Sequence, residues 1–147
     1  MSEADWKKNI ISHDEERIKE LFETSRTIAV VGMKEVTYKP SYYVPRYLLD
    51  QGYEIIPVNP LIDQIDGIKA YPDLRSLPGP VDIVDVFRRS EDIMPHAQEA
   101  MDLRPRAFWM QSGIINKEAA EMLARAGILV VMDRCMYSDH VHFFGRY

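Results

Sequence analysis

The chain has 147 residues, 46% of them hydrophobic and 28% charged, with a formal net charge of -5. This is the size and balance of one ordinary globular domain with a sizeable core, and its acidic excess argues against a general nucleic-acid or membrane-surface binder, which needs basic stripes. A single cysteine, Cys135, permits no intramolecular disulfide, Met1 to Trp6 has no signal-like apolar stretch, and no segment approaches the ~18 apolar residues of a membrane span; a soluble, cytoplasmic protein is expected.

Ser12 and Glu15 make the S-x-x-E pattern of a capping box, so the spacing predicts a helix from His13 to about Thr24 with Ile18, Leu21 and Phe22 on one face. Thr27 to Val31 is a β-branched apolar run that fits a strand buried on both faces of a parallel sheet, and Gly32 ends it. A loop from Met33 to Pro40 carries Lys34 and Lys39; Ser41 is the expected cap of a helix from Tyr42 to Gln51, with Pro45 in its first turn and Gly52 as its stop. Tyr53 to Val58 is the second strand, closed by the turn pair Asn59-Pro60. From Leu61 to Pro80 the pattern is weakest: Ile68 to Tyr71 reads as a short edge strand and Asp73 to Leu77 as a helical turn.

Val81 to Phe87 reads as a central strand interrupted by Asp82 and Asp85, with Arg88 and Arg89 at its end. Ser90 is the expected cap of a helix running to Leu103, which Pro95 distorts or delays. Ala107 to Met110 is the next strand, with Trp109 and Met110 in the core, and Gln111-Ser112-Gly113 is its turn. Asn116 caps a helix from Lys117 to Ala126 that stops at Gly127, and Ile128 to Met132 is the last strand. Strands alternating with helices imply an α/β, Rossmann-like, three-layer α/β/α domain with a mostly parallel sheet. The expected organisation is one domain over 1–147, with 1–26 as an N-terminal helical segment and 136–147 as a tail.

In such a sheet a ligand sits outside the carboxyl ends of the strands, where strand order reverses. The shortlist is therefore Gly32 with Lys34, Lys39 and Ser41; Asn59 with Pro60; Phe87 with Arg88; Gln111 with Gly113; and Asp133 with Arg134 and Cys135. Several cations in an acidic chain suit a phosphate-bearing ligand, although Gly32 also reads as a plain strand-to-helix turn and Arg88 as a partner for Asp85 or a helix carboxylate. A dinucleotide fingerprint needs G-x-G-x-x-G, but Gly32, Lys34 and Thr37 occupy those places, and Asn59 stands where an acid would hold an adenosine ribose. No Walker A loop is present.

Taken together, Gly32 with Lys39-Pro40-Ser41-Tyr42, Val58-Asn59-Pro60, Asp85-Val86-Phe87-Arg88, Trp109 to Ile114 and Val131 to Cys135 resemble the stand-alone coenzyme A-binding domain proteins, which are similar to the N-terminal domain of the succinyl-CoA synthetase α subunit. The resemblance covers roughly Thr27 to Cys135. It implies a Rossmann-like fold with coenzyme A as ligand: Gly32 to Tyr42 around the phosphates, with Lys39 as charge partner, Val58, Asn59 and Pro60 along the adenosine and pantetheine, Phe87 and Arg88 beneath, and Gln111 and Gly113 at the thiol end. The larger synthetases carry a second domain with a phosphorylated histidine, absent from this sequence. A binder of coenzyme A or a small acyl-CoA is therefore expected rather than an independent enzyme; the alternatives are an NAD(P)-dependent oxidoreductase or a partner-dependent acyl-CoA ligase or transferase component. A homodimer is a further expectation, with no nucleic acid or membrane partner.

Three features stay open. Cys135 reads as a small buried hydrophobe, as a nucleophile beside Arg134, or as the site of a mixed disulfide with coenzyme A. His140 and His142 alternate in Ser138 to Phe144 and would share one side of an extended segment, although a metal would want a third ligand. Phe143, Phe144 and Tyr147 would pack on this subunit or on a neighbour.

Overall fold

A computed structural model describes residues 5–145 of the chain. Five short apolar segments, β1 (Thr27–Val31), β2 (Glu54–Val58), β5 (Ile83–Val86), β6 (Ala107–Met110) and β7 (Leu129–Val131), form one sheet in the order β2-β1-β5-β6-β7. Every neighbouring pair in it is parallel. Side chains alternate across a strand, so each strand feeds two cores. Ala29, Val31, Val84, Val86, Phe108, Met110 and Val130 face one layer, built from α3 (Ile93–Leu103) and α4 (Lys117–Arg125). Ile28, Val30, Ile83, Trp109 and Val131 face the other, built from α1 (Glu15–Thr24), α2 (Pro40–Asp50) and α5 (Met136–Phe144). The result is the three-layer, Rossmann-like α/β fold. Among the described residues no helix is long and apolar enough to cross a membrane.

Several local expectations are corrected by tertiary demands. Asp14, not Ser12, caps α1, accepting from the Arg17 N–H at 3.2 Å. Ser12 is buried and its hydroxyl accepts from the Met132 N–H at the end of β7, so a sheet-edge donor has claimed it. Helix α2 starts two residues earlier than Ser41 predicts: Lys39 is its cap residue and Pro40 its first, where a missing N–H costs nothing. Pro45 thus becomes an interior residue, buried, whose nitrogen cannot donate to the Ser41 carbonyl. Ser90 does not cap α3 either. A 3-10 turn, Ser90–Asp92, precedes that helix, and the Ser90 hydroxyl instead accepts from the Ile115 N–H at 3.0 Å.

The region from Leu61 to Pro80 holds a two-stranded hairpin, β3 (Gln64–Ile65) with β4 (Ile68–Lys69), antiparallel about Asp66 and Gly67, both with positive φ. This replaces the predicted edge strand Ile68 to Tyr71; Tyr71 alone bridges to Val58. The predicted C-terminal tail is helix α5 as far as Phe144, which overturns the extended reading of Ser138 to Phe144. Residues two apart on a helix point in nearly opposite directions. His140 is accordingly buried and His142 exposed, 3.7 Å from Glu15. Phe143 and Phe144 pack on Phe22 of this same chain. Tyr147 lies outside the described residues.

Candidate ligand-binding site

The strand order places the reversal point between β1 and β5: the chain leaves β1 for β2 on one side and runs from β5 to β7 on the other. Crossover segments diverge there and leave a crevice at the carboxyl ends of the strands. A cavity of about 830 Å³ occupies it. Beyond β1 it is lined by Gly32 and Lys34, and at the start of α2 by Lys39, Pro40, Ser41 and Tyr43. Phe87, Arg88, Arg89, Ser90 and Glu91 line it beyond β5; Gln111 to Ile114 do so beyond β6. Cys135 and Ser138, at the start of α5, complete the wall.

Gly32 has φ +87°, and a Cβ placed there would stand 2.5 Å from the Phe87 carbonyl oxygen and 3.2 Å from Arg88 Nη1. Its N–H donates to the Val58 carbonyl while the Phe87 N–H donates to the Val31 carbonyl. Backbone pairing thus continues on both sides of the point where the loop turns away. The missing side chain leaves room for the Arg88 guanidinium, which is half-buried against the loop. Arg88 makes no ion pair with Asp85; it lies instead close enough to His96 of α3 to add to the burial that holds that imidazole below its usual pKa. Arg89 is partly committed, bonding Asp92 at 3.1 Å with Glu91 at 3.4 Å. Among the described residues no acid stands within ion-pair distance of Lys34, Lys39 or Arg88.

The floor is polar. Gln111 is 4% exposed; its Nε2 donates to Asp85 Oδ1 at 2.6 Å, and its Oε1 accepts from the Met136 N–H at 3.3 Å. On the α5 side Arg134 forms a two-pronged pair with Asp139, at 2.8 and 2.9 Å, and donates to the Ser12 carbonyl at 2.9 Å. That hydrogen bond to Asp139 raises the already high pKa of the guanidinium. The Arg134 carbonyl accepts from the indole of fully buried Trp109, so the segment that carries Cys135 is fixed at both ends of one residue. Among the described residues no group of three His, Cys, Asp or Glu is placed to hold a metal ion.

Of the residues expected at the site, Gly32, Lys34, Lys39, Pro40, Ser41, Phe87, Arg88, Gln111 and Gly113 meet at this cavity. Tyr42, Val58, Asn59 and Pro60 do not line it. The Tyr42 hydroxyl points away and donates to Asp66 Oδ2 at 2.7 Å, an interaction that raises its pKa. Val58 is core. The Asn59 carboxamide is buried, donating to the Met33 carbonyl and accepting from the Leu61 N–H, so it braces the loop from below; Pro60 is exposed beyond it. The wall gains Tyr43, Arg89, Ser90, Glu91, Ser112, Ile114 and Ser138, which site reasoning missed. Tyr43 and Ser138 each lie three residues after a wall residue, Pro40 and Cys135, a spacing that one helical face would have shown once both helices were given their true starts.

Residues 26–141 match the CoA binding domain family. The uncharacterized protein YneT of Bacillus subtilis is 45% identical over 123 residues, covering 84% of this chain and 91% of that protein. The structure of cell-free ID.343 from Thermus thermophilus superposes with a TM-score of 0.85 at 41% identity, covering 89% of this chain and 99% of that one. A shorter match, 36% identity over 63 residues, falls on the ADP-forming acetate–CoA ligase II subunit alpha of Pyrococcus furiosus and spans 42% of this chain but 14% of that subunit. With a matching parallel sheet, a cavity at its reversal point and a family match over most of its length, the chain belongs to the CoA binding domain family.

Proposed function

We propose that the cavity binds coenzyme A or a small acyl-CoA, and that the chain works as a binding protein without independent catalysis. The observation that carries this reading is the placement of charge. Lys34, Lys39 and Arg88 meet over one end of the sheet with no acidic partner among the described residues, in a chain whose net charge is -5. A polyphosphate is the complement of such a rim, and Gly32 lets it approach the backbone beside the start of α2. The cavity lies within the usual range for small-molecule sites, ~300–1,000 Å³. Tyr43, Phe87 and Ile114 offer apolar surface to the organic part, and Gln111, Gly113 and Cys135 would meet the thiol end. Family membership supports the same ligand. The reading includes a cytoplasmic location and a homodimer.

One observation favours a second reading, a component of a partner-dependent acyl-CoA ligase: the 63-residue match to a ligase subunit. The oxidoreductase alternative lacks the second and third glycines of its fingerprint. Thermal unfolding with coenzyme A, acetyl-CoA, NAD, NADP or ATP separates the coenzyme A readings from the oxidoreductase one, because a ligand that binds only the folded state raises the midpoint. A rise with the two coenzyme A species alone supports the proposal; a rise with NAD or NADP alone replaces it.

A further inference from the structure

Asp85 is fully buried in a strand whose other residues are apolar. Its register partners are Val30 of β1 and Trp109 of β6, and it shares the sheet face of Ile83, which packs against α2 and α5. Oδ1 takes the bond from Gln111; Oδ2 is buried with no partner. Burial pushes the carboxyl up to about 7, against the opposing donors Gln111 and the Val86 N–H. The orientation of Gln111 is forced. The Met136 N–H can only donate, so Oε1 must face it, and Nε2 must face Asp85. A continuous chain therefore runs from a buried carboxyl, through a residue of the cavity wall, to the first turn of α5.

We propose that this chain is a proton-linked positioning device under the cavity: Asp85 takes up a proton when a polyanion fills the site, and Gln111 passes the change to α5. The inference rests on the coenzyme A reading. A ligand carrying several negative charges raises the cost of a carboxylate buried beneath it, where solvent screens little. Protonation turns the charge-assisted bond from Gln111 Nε2 into an ordinary one, which leaves that amide freer to face the ligand while Met136 holds its other end.

The titratable neighbours do not supply this behaviour. On the packed face, Arg134 and Asp139 neutralise each other, and His140 is bound to Tyr47 and held below its usual pKa by burial. Cys135 stands before α5, with Tyr43 further along the wall, and Lys34, Lys39 and Arg88 belong to the ligand side. β1 and β6 present Val30 and Trp109.

The test follows the Gln111 side-chain amide by NMR in ligand-free protein between about pH 5 and 9, then measures coenzyme A binding by calorimetry in buffers of different ionisation heat, for the wild type and Asp85→Asn. The expected result is a Gln111 titration with a midpoint near the Asp85 value of about 7, absent in the variant. Binding should take up part of a proton in the wild type and less in Asp85→Asn, so that wild-type affinity falls by at most about tenfold per pH unit above neutrality from this group. A Gln111 amide that is flat with pH overturns the inference, as does equal proton uptake by both proteins. If the variant does not fold, the wild-type titration and proton count decide alone. A titrating Gln111 with no binding of coenzyme A removes the ligand reading and the coupling to it, while a titrating floor stands; binding with a silent Gln111 does the reverse.

Discussion

Arg88 occupies the space that a side chain on Gly32 would fill: Nη1 is 3.2 Å from the position of a Cβ there, and the Phe87 carbonyl oxygen is closer still, at 2.5 Å. The closest contact is backbone and cannot swing aside. Gly32→Ala should therefore cost about 1–3 kcal/mol from the left-handed conformation alone, and more from the clash. Denaturant unfolding measures that loss, and calorimetry with coenzyme A should show weaker binding because Arg88 is displaced. A variant as stable as the wild type, with unchanged affinity, would mean that loop and arginine relax independently.

Lys39 is exposed, and its side chain makes no cap hydrogen bond to α2. Lys39→Ala should leave the unfolding midpoint nearly unchanged and weaken coenzyme A roughly three- to tenfold, with a smaller dependence of affinity on salt. Equal affinity at low ionic strength would remove Lys39 from the site.

Asp85 should make stability decline with rising pH. Its carboxyl is raised from 3.8 to about 7 in the folded state, so between those values the native protein holds a proton that the unfolded chain has lost. The favourable contribution is complete below 3.8 and is lost as pH approaches about 7. Unfolding free energies from urea titrations across this window should fall relative to those of Asp85→Asn by up to about 4 kcal/mol. Parallel curves for the two proteins would contradict it.

His140 acts with the opposite sign. Burial lowers its pKa from 6.5, so the unfolded chain binds the proton more readily and stability is lost as pH falls below that value. It sits among Phe22, Tyr53 and Phe144, with Nδ1 2.8 Å from the Tyr47 hydroxyl. His140→Phe should flatten the acid side of the stability curve below about pH 6.5. An unchanged slope would place the acid sensitivity elsewhere.

Arg134 and Asp139 should be strongly coupled. Their side chains are 21% and 11% exposed, and the pair joins the start of α5 to the Ser12 carbonyl. A double-mutant cycle with Arg134→Met and Asp139→Asn should return a coupling of about 1–3 kcal/mol. A value near zero would show that Trp109 alone fixes this segment.

The strands were legible because their apolar runs are short and punctuated by glycine, and the site because the topology sends every strand end to one side. Caps were not. Ser12 and Ser90 carry the right chemistry for helix starts, yet each accepts a hydrogen bond from an N–H distant in sequence, which local pattern cannot reveal. The hairpin had a usable signal in Asp66-Gly67, a pair suited to a tight turn with positive φ, obscured by the very short strands around it. Helix α5 was lost because His140 and His142 invite a period of two, while Met136, His140 and Phe143 carry the helical spacing that the core uses. Val58, Asn59 and Pro60 illustrate a finer limit. They stand at a strand end, but β2 is the outermost strand, one place away from the reversal point.

Both borders of the sheet are already occupied. Beyond β7, the Ile11 N–H takes the Val130 carbonyl and Ser12 takes the Met132 N–H. Beyond β2, Tyr71 bonds both the Pro57 carbonyl and the Asn59 N–H, and Pro57 itself has no donor to offer. An incoming strand would find few free groups on either side, so two copies of this chain have no ready route to a continuous intermolecular sheet. These occupied borders give the folded chain a built-in resistance to ordered strand-on-strand aggregation.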